Sequence, residues 1–363
     1  MSLVDFDIKI FENFENEELA DAWHRLEKEG DIFPQMYLAW IEPWWRYNAS
    51  NRRLHIVALV DTTNLIIAIA PFCIENKSGL KVLITIPIHF GDFYYIITNE
   101  DNLNLVSGKI LEYCKSFKYW NLVQLNQVDV SSQLFIEAKN NNAVYKKLSD
   151  VVCTNLDYST FSEFLGIIGG KERREFKRRR KRLEEIGDVR LSLIKSKEDY
   201  HNYEIAMKNI AIKKWKGKAN SKTDKLFRYR AESYANCLDL NKALGFILLL
   251  NSQPIAYRLG FINNDEFISW KLVYDPDFSS LGLGKMISIM SIEQLINMNI
   301  KALNNGGGDY EYKKSWFTNE KTSEIYRLFL KNNNLRAAFY IFIEMKVKIL
   351  VKRLWTYPVN LDA

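Results

Sequence analysis

Apolar and polar residues in the second half of the chain form blocks that predict strands separated by turns. The runs at 244–250, 255–262 and 266–275 are strand-like, and the short segments between them contain the Asn, Asp and Pro residues typical of turns. Residues 286–298 repeat apolar positions at helical spacing, and 300–305 predicts a fourth strand. The predicted order is β-β-β-α-β.

The first half of the chain repeats this order. Strands are predicted at 54–60, 65–74, 80–87 and 121–126, with a helix at 104–117 before the last strand. This repetition of architecture, in a chain of 363 residues, predicts two domains. We place them at 1–155 and 156–363.

The remaining helical patterns include one with an unusual charge. Helices are predicted at 161–168, 171–186, 195–214, 221–240 and 335–355. The second contains KERREFKRRRKR (171–182), whose nine basic and two acidic residues give +7, against +6 for the whole chain. Proteins that track nucleic acid usually spread basic residues along a face, so one concentrated run indicates a local anion site or a solvated helix face. We expect Gly187 to end this helix as a C-cap.

Cysteine and histidine usage argues against a metal site. Cys73, Cys114, Cys153 and Cys237 are far apart, and so are the four histidines, which predicts free thiols, no disulfide framework and no metal. The N-terminal segment lacks the apolar core of a signal peptide. No window reaches the roughly 18 apolar residues that a membrane span requires. We therefore expect a cytoplasmic protein.

The junction between the third strand and the helix of the second copy contains two glycines. Gly282 and Gly284 directly precede the helix, where free backbone N–H groups bind phosphate and Lys285 can add a positive charge. The equivalent junction of the first copy has no glycine and carries Glu100 and Asp101, which repel phosphate. The sequence therefore predicts one active site, in the second domain. The alternative is a glycine-rich helix entry that binds no ligand.

A second polar cluster, NNGGGDYEYKKSWF (304–317), directly follows the fourth strand. Five of its residues offer a carboxylate, two phenols, an ammonium group and an aromatic ring: Asp309, Tyr310, Tyr312, Lys313 and Trp316. This set suits the binding of a polar acceptor and the movement of a proton. A surface turn with exposed aromatic residues is the alternative.

These motifs, in this order, resemble the GNAT superfamily of N-acyltransferases, and more closely its CelD-type, FemAB-like branch. The similar segments are RRRKRLEEIG (178–187), YDPDFSSLGLGK (274–285) and GDYEYKKSWF (308–317), and in the first half 33–47, 67–72 and 91–95. The resemblance covers roughly residues 30–320. It implies an α/β (α+β) fold of tandem GNAT-like domains, each a mixed, mostly antiparallel sheet flanked by helices. The first domain would be degenerate and would shape the acceptor side.

The resemblance also implies an activity, which is acyl transfer from acetyl-CoA or another acyl-CoA to an amine, without a covalent enzyme intermediate. The implied cofactor-binding residues are Val273, Ser279, Leu281, Gly282, Leu283, Gly284 and Lys285. Ser279 departs from simpler relatives, which have Gln or Arg there. A backbone N–H near Val273 or Tyr274 would stabilise the oxyanion.

The implied catalytic residues have separate roles. Asp309 would be the base, Lys313 would stabilise negative charge, and Tyr274 or Tyr312 would protonate the leaving group. The implied substrate-binding residues are Asp92, Tyr94, Trp270, Arg178 and Trp316.

The resemblance points to an acceptor but leaves alternatives open. Relatives of this branch often act in cell-envelope or exopolysaccharide biosynthesis, so the expected acceptor is a small or a lipid- or nucleotide-linked amine, such as an amino sugar. One alternative is a Fem-type transferase that uses aminoacyl-tRNA, with the basic helix on the RNA. Another is a non-catalytic module on nucleic acid or on an anionic membrane at its inner face, supported by KVKILVKRLW (346–355). The oligomeric state is left open.

Overall fold

The computed structural model describes residues 6–77, 79–87, 93–99, 102–214, 221–307 and 319–347. Its helices are α1 (Glu17–Glu29), α2 (Leu38–Asn48), α3 (Leu103–Lys115), α4 (Gln133–Asn140), α5 (Phe161–Ile167), α6 (Gly170–Glu184), α7 (Lys197–Lys214), α8 (Ser221–Asp239), α9 (Leu283–Asn297) and α10 (Leu335–Phe342). Its strands are β1 (Asp7–Phe11), β2 (Arg52–Val60), β3 (Ile66–Lys77), β4 (Leu80–Thr85), β5 (Ile97–Thr98), β6 (Leu122–Asp129), β7 (Val144–Asn155), β8 (Val189–Ile194), β9 (Ala243–Leu250), β10 (Gln253–Asn263), β11 (Glu266–Tyr274), β12 (Ala302–Gly307) and β13 (Asn319–Lys331).

The chain forms two compact units, each built from separate segments. The first unit contains the described residues of 1–22, 49–148 and 325–363, and the second those of 23–48 and 149–324. The domains predicted from the sequence, 1–155 and 156–363, are contiguous. The structure differs from this prediction, because it groups residues 23–48 with the second unit and the described end of the chain with the first.

The first unit contains a sheet in the order β1-β2-β3-β4-β6-β13, with β5 paired to β3. Its neighbours are antiparallel except β4 and β6, which run parallel through 82–84 and 122–124. The central strands are apolar and buried, with every residue of 54–60 and 68–73 in the core, as expected for strands covered on both faces.

The second unit contains a sheet in the order β7-β12-β11-β10-β9-β8. Here too the third strand of the β-β-β-α-β motif, β11, runs parallel to the strand after the helix, β12, through 266–268 and 302–304. The other neighbours are antiparallel. In both units the strands of the β-β-β-α-β motif have the same order and directions. This confirms the predicted tandem arrangement of mixed, mostly antiparallel sheets with helices.

Two helices contribute many of the buried side chains in the core of the second unit. α9 has ten buried residues among its fifteen, because apolar side chains occur on nearly every face of the helix. α2, from the aromatic segment at 33–47, contributes the buried Trp40 and Trp44. Trp40 meets Phe261 and Trp270 edge-on, at 5.2 Å between ring centroids in both pairs. The early aromatic segment is therefore part of the second unit's core.

The basic helix is docked on the same core. Phe176 and Leu183 of α6 are buried, whereas Ile186 is exposed and follows the end of the helix. The prediction of Gly187 as the C-cap was wrong, because α6 ends at Glu184 with Glu185 as its C-cap. A Cβ on Gly187 would stand 2.2 Å from the Asn251 side chain, so close packing explains this glycine.

The helix predicted at 335–355 is α10, followed by a π turn, Ile343–Val347. Residues from 348 onward, with most of the basic segment at 346–355, lie outside the described residues. Among the described helices, none has both the length and the apolar character needed to cross a bilayer.

Candidate active site

The junction between β11 and α9 is a short, capped turn that ends on a left-handed glycine. Asp275 begins the 3-10 turn Pro276–Leu281, and its Oδ1 accepts a hydrogen bond of 3.0 Å from the Asp277 N–H. Gly282 follows with φ 66°, a region that side-chain-bearing residues rarely adopt. α9 starts at the next residue. Gly282 is therefore both the end of the turn and the N-cap of the helix.

The first turn of α9 presents free backbone donors. The N–H groups of Lys285 and Met286 donate to the Gly282 carbonyl at 3.1 and 3.2 Å. Those of Leu283 and Gly284 have no backbone acceptor within the described chain. Because a helix N-terminus also carries partial positive charge, these donors form a site suited to an anion.

The basic helix places a guanidinium group directly over this turn. A Cβ on Gly282 would stand 1.6 Å from a terminal nitrogen of Arg179, so the arginine occupies the space that a larger residue would need. Glu175, one turn earlier on α6, accepts hydrogen bonds from Arg179 Nε at 2.9 Å and from its terminal nitrogen at 2.5 Å. Its other oxygen lies 3.7 Å from Lys285 Nζ. Two cations therefore share one carboxylate beside the helix N-terminus.

The charges in this group influence one another. The hydrogen bond from Arg179 holds the pKa of Glu175 below its usual value, which keeps the carboxylate ionised. Burial lowers the pKa of Lys285, and Glu175 opposes that shift. Arg178, the arginine predicted from the sequence to bind substrate, is exposed on α6. Arg179 and Glu175 were not predicted, although their i, i+4 spacing is a signal for an ion pair.

Two lysines at the end of α7 fix the turn from the other side. Lys213 Nζ lies 2.8 Å from both Asp275 Oδ2 and Asp277 Oδ2, and Asp275 is almost fully buried. Lys214 Nζ lies 3.7 Å from the centroid of the Tyr274 ring, a cation–π contact. A charged Asp buried at 2% exposure requires such a partner, so Lys213 holds the turn in place.

β11 is only partly paired to β12. The two strands pair through 266–268 and 302–304, and within the described chain residues 269–274 have no strand partner on that side. On the other side β10 remains paired up to Tyr274. The open edge leads directly to the turn at Gly282, so an extended ligand could bind along β11 with its anionic end at α9.

A small cavity of about 30 Å³ lies in the second unit, between α7, α8, β10 and β11. Its walls include four aromatic residues, three basic residues and one acidic residue: Tyr200, Phe227, Tyr257, Trp270, Lys208, Arg230, Lys271 and Glu204. Trp270, predicted to bind substrate, is one of them, and its ring stacks on Tyr234 at 5.6 Å and 19°. The cavity combines an aromatic wall with an excess of positive charge.

Other predicted residues are distributed between the junction and the rest of the chain. Val273 and Tyr274 end β11, Ser279 and Leu281 lie in the 3-10 turn, and Leu283, Gly284 and Lys285 begin α9. Tyr94 is buried in the first unit, and its phenol has no hydrogen-bond partner among the described residues. Asp92, Asp309, Tyr310, Tyr312, Lys313 and Trp316 lie outside the described residues, so their roles stay predictions.

The junction fits the diphosphate of an acyl-CoA. The left-handed Gly282, the free N–H groups of Leu283 and Gly284, and the cations Arg179 and Lys285 all lie together there. A Cβ on Gly284 would meet Leu272 and Tyr274 only at 3.6 Å, so the fold itself does not require glycine at this position. Close approach of a ligand to the backbone would explain it.

Comparison with known proteins agrees with this geometry. Residues 170–314 match a family model described as an acetyltransferase (GNAT) domain. A comparison with curated protein sequences finds no match.

Three solved structures are similar in fold. FemX is 10% identical, with a TM-score of 0.57, over 88% of this chain and 98% of FemX. L-PGS from Bacillus licheniformis is 14% identical, with a TM-score of 0.56, over 91% of this chain and 96% of that one. A tandem GNAT protein from the clavulanic acid biosynthesis pathway is 6% identical, with a TM-score of 0.50, over 90% of this chain and 98% of that one. At these identities the similarity is one of fold.

Residues 170–314, which contain the glycine turn at the start of α9, match the acetyltransferase (GNAT) domain. The chain as a whole has a fold of two GNAT-like units, similar to those of FemX and the tandem GNAT protein.

Proposed function

We propose that this protein transfers an acyl group from acetyl-CoA or another acyl-CoA to the amine of an acceptor. The observation that carries the proposal is the position of Arg179 over Gly282, at the N-terminus of α9 and at the end of the open edge of β11. This combination offers anion binding and a free strand edge in one place. The fold does not require an anion site at the start of α9 to lie beside an unpaired edge of β11.

In this proposal the N–H groups of Leu283 and Gly284 and the side chains of Arg179 and Lys285 hold the diphosphate. The bound acyl-CoA supplies an activated thioester. The unpaired stretch of β11 orients the donor, and a backbone N–H near Val273 or Tyr274 donates to the carbonyl oxygen on which negative charge develops. The phenol of Tyr274 supplies a proton to the leaving sulfur, and Lys214 packs against its ring.

For the acceptor we propose an amine linked to a phosphate-bearing carrier, such as an amino sugar on a nucleotide or a lipid. The basic and aromatic walls of the cavity at Trp270 support this choice, because they suit a ring and an anionic group together. A role in cell-envelope or polysaccharide biosynthesis, in the cytoplasm or at the inner face of the membrane, follows from the resemblance. Catalytic support from Asp309, Lys313 and Tyr312 belongs to the same proposal.

A Fem-type transfer from aminoacyl-tRNA is the second candidate. The fold similarity to FemX favours it, together with the exposed basic residues of α6, which include Arg173, Arg174, Arg178 and Arg180. Both donors place phosphate near the same helix, so the two candidates differ in the donor and not in the reacting unit.

Calorimetric titration tests the donor. Acetyl-CoA and longer acyl-CoAs should bind the wild-type protein, and Gly284→Asp should abolish binding because it places a carboxylate at the anion site. Gly108→Asp is a matched control, since Gly108 lies on α3 of the first unit and its Cβ would meet no atom within 4 Å. Absence of CoA binding to the wild-type protein would contradict the proposal.

Two further measurements address the remaining candidates. Filter binding of tRNA across a salt series should show no change on charge reversal at Arg178 and Arg180, if CoA is the donor. Strong tRNA binding that is lost in this variant would favour the Fem-type reaction instead. Co-sedimentation with vesicles of anionic phospholipid tests the peripheral membrane contact.

A further inference from the structure

A β-bulge in β11 turns two consecutive side chains toward the same cavity. Leu259 of β10 pairs with Lys271 and Gly260 pairs with Ser269, so Trp270 is an extra residue without a partner in the ladder. In a regular strand neighbouring side chains point to opposite faces. Here both Trp270 and Lys271 line the cavity between α7 and α8, because the bulge resets the alternation.

The amine of Lys271 lies among aromatic rings. Its Nζ is 4.6 Å from the centroid of the Trp270 ring and 5.9 Å from that of Phe227. Among the described residues it forms no ion pair and no hydrogen bond. A partly buried ammonium group normally has such a partner, so the absence of one needs an explanation.

The other charged and titratable groups around the cavity do not supply that partner. α7 contributes Tyr200, Glu204 and Lys208, α8 contributes Arg230, and β10 contributes Tyr257. The Glu204 carboxylate lies 2.9 Å from His201 Nδ1 on its own helix. The Arg230 guanidinium faces the same Trp270 ring as Lys271, at 5.9 Å. The local field is therefore positive.

This environment favours the neutral amine. Burial, and then the positive charge of Arg230, lower the pKa of Lys271 well below its usual value. The Trp270 ring face attracts an ammonium group and opposes this shift, but such a contact is worth only about 0.5–2 kcal/mol. A neutral amine that lines a small cavity can accept a proton from an amino group placed there.

Lys271 also lies on the part of β11 that could meet the donor. Residues 269–274 form the open edge of β11, and the strand leads to the turn at Gly282. One strand therefore contributes to both the cavity and the anion site. Lys271, in the cavity wall, lies three residues before Tyr274, the last residue of β11 before the turn.

We propose that the cavity at Trp270 holds the acceptor amine and that Lys271 takes the proton that this amine must lose before it attacks. The inference rests on the proposed acyl transfer. The acceptor's R–NH₃⁺ gives one proton to the Lys271 amine, and the resulting R–NH₂ forms the C–N bond as the thioester C–S bond breaks. The second nitrogen proton passes to water, and the leaving thiolate takes the proton of the Tyr274 phenol and departs as a thiol. Water then reprotonates Tyr274, and Lys271 releases its proton to water.

A first experiment measures the lysine itself and needs no acceptor. Competitive labelling of all lysines with acetic anhydride between pH 6 and 11, followed by mass spectrometry, gives a midpoint for each amine. The midpoint of Lys271 should fall well below that of Lys181, whose side chain is 79% exposed. A midpoint equal to that of Lys181 would overturn the proposal, whether or not the protein binds CoA.

A second experiment separates proton transfer from anion binding. Release of CoA thiol from acetyl-CoA is followed with a panel of primary amines and amino sugars, as a function of pH, in the wild type, Lys271→Met, Lys271→Arg and the control Lys109→Met. Lys109 is an exposed lysine on α3 of the first unit. Because Arg keeps the charge but cannot accept a proton, both Lys271 variants should lose about 100-fold or more in kcat/KM at pH 7. Their rates should recover as the pH rises, with unchanged acetyl-CoA affinity.

An active Lys271→Arg variant with the wild-type pH profile would overturn the proposal and identify Lys271 as an anion anchor. Failure of the wild-type protein to bind acetyl-CoA would refute the proposed function instead, while the labelling midpoint would still decide the state of Lys271.

Discussion

Arg179 and Gly282 are mutually dependent: the guanidinium group of one fills the space that a side chain on the other would need. The distance from the arginine nitrogen to the position of a Gly282 Cβ is 1.6 Å, far inside van der Waals contact. The backbone of Gly282 is also left-handed, at φ 66°. Two separate reasons therefore select glycine at this position.

Gly282→Ala should cost stability and donor binding together. The left-handed backbone costs a non-glycine residue roughly 1–2 kcal/mol, and the methyl group must displace Arg179 from the anion site. We expect a lower free energy of unfolding in urea and at least a tenfold loss of acetyl-CoA affinity by calorimetry. Gly284→Ala is the matched control for stability, because its Cβ fits and Ala favours a helix. An equal loss of stability in both variants would contradict this reasoning.

Glu175→Gln should strengthen donor binding. The carboxylate of Glu175 is held by Arg179 and lies near Lys285, so it competes with phosphate for two cations. Its neutralisation should raise acetyl-CoA affinity by about threefold to tenfold at low salt, and the gain should shrink as salt screens the charges. Glu184→Gln, which removes the similar partner of Arg180 on the same helix, should leave the affinity unchanged. Weaker binding by Glu175→Gln would mean that Glu175 positions Arg179 for the ligand.

Lys213→Met should loosen the turn that precedes α9. The variant leaves the buried Asp275 without its cation, although Lys213 is itself about half exposed, so we expect a loss of roughly 1–2 kcal/mol in the free energy of unfolding. Lys214→Met removes only the contact with the Tyr274 ring and should cost less. Urea unfolding of the two variants, followed by fluorescence, distinguishes them, and equal losses would argue against a special role for Lys213.

The first unit should become less stable in mild acid because of His55. Burial, together with the positive charge of Arg53, lowers the pKa of His55 to about 4, so the folded ring is neutral while the unfolded ring binds a proton below about 6.5. The unfolded state therefore binds more protons between pH 6.5 and 4, and the free energy of unfolding falls through that window by about 3 kcal/mol. Below about pH 4 the loss should stop growing.

His55→Gln keeps a hydrogen-bonding group near Tyr113, whose hydroxyl lies 2.8 Å from His55 Nε2, but it does not titrate. The variant should therefore lose less stability than the wild type between pH 7 and pH 4. His201→Gln, a substitution of an exposed histidine, should behave as the wild type does. Parallel stability curves for all three proteins would refute the assignment to His55.

Much of the fold could be predicted because apolar periodicity is strong in the core elements. The strands at 244–250, 255–262 and 266–275 agree with β9, β10 and β11 within two residues at each end. β7 and β13 were not predicted, because the polar residues along 144–155 and 319–331 mask the alternation of a strand. α9 starts three residues before the predicted helix, since Gly282 caps it and Gly284 is already helical.

The candidate site was harder to predict than the fold. The glycine turn was recognisable from its place between a strand and a helix, but Arg179, Glu175 and Lys213 reach it from α6 and α7, and only tertiary packing brings them there. The bulge at Trp270 left no sign in the sequence. Without it, a strict alternation would have placed Trp270 and Lys271 on opposite faces.

The grouping of residues 23–48 with the second unit determines which fragments of this protein can be expressed in folded form. An expression fragment of 156–363 begins after the predicted boundary and lacks α2. In α2 the backbone carbonyl of Trp40 accepts a hydrogen bond from the Ser233 hydroxyl, and the Trp40 ring packs on Trp270. Such a fragment would expose to water the rings of Phe261 and Trp270, which pack against Trp40, and it should aggregate or fail to fold. Joining residues 23–48 to residues 149–324 through a flexible tether, as a rearranged chain, would be the way to obtain the second unit on its own.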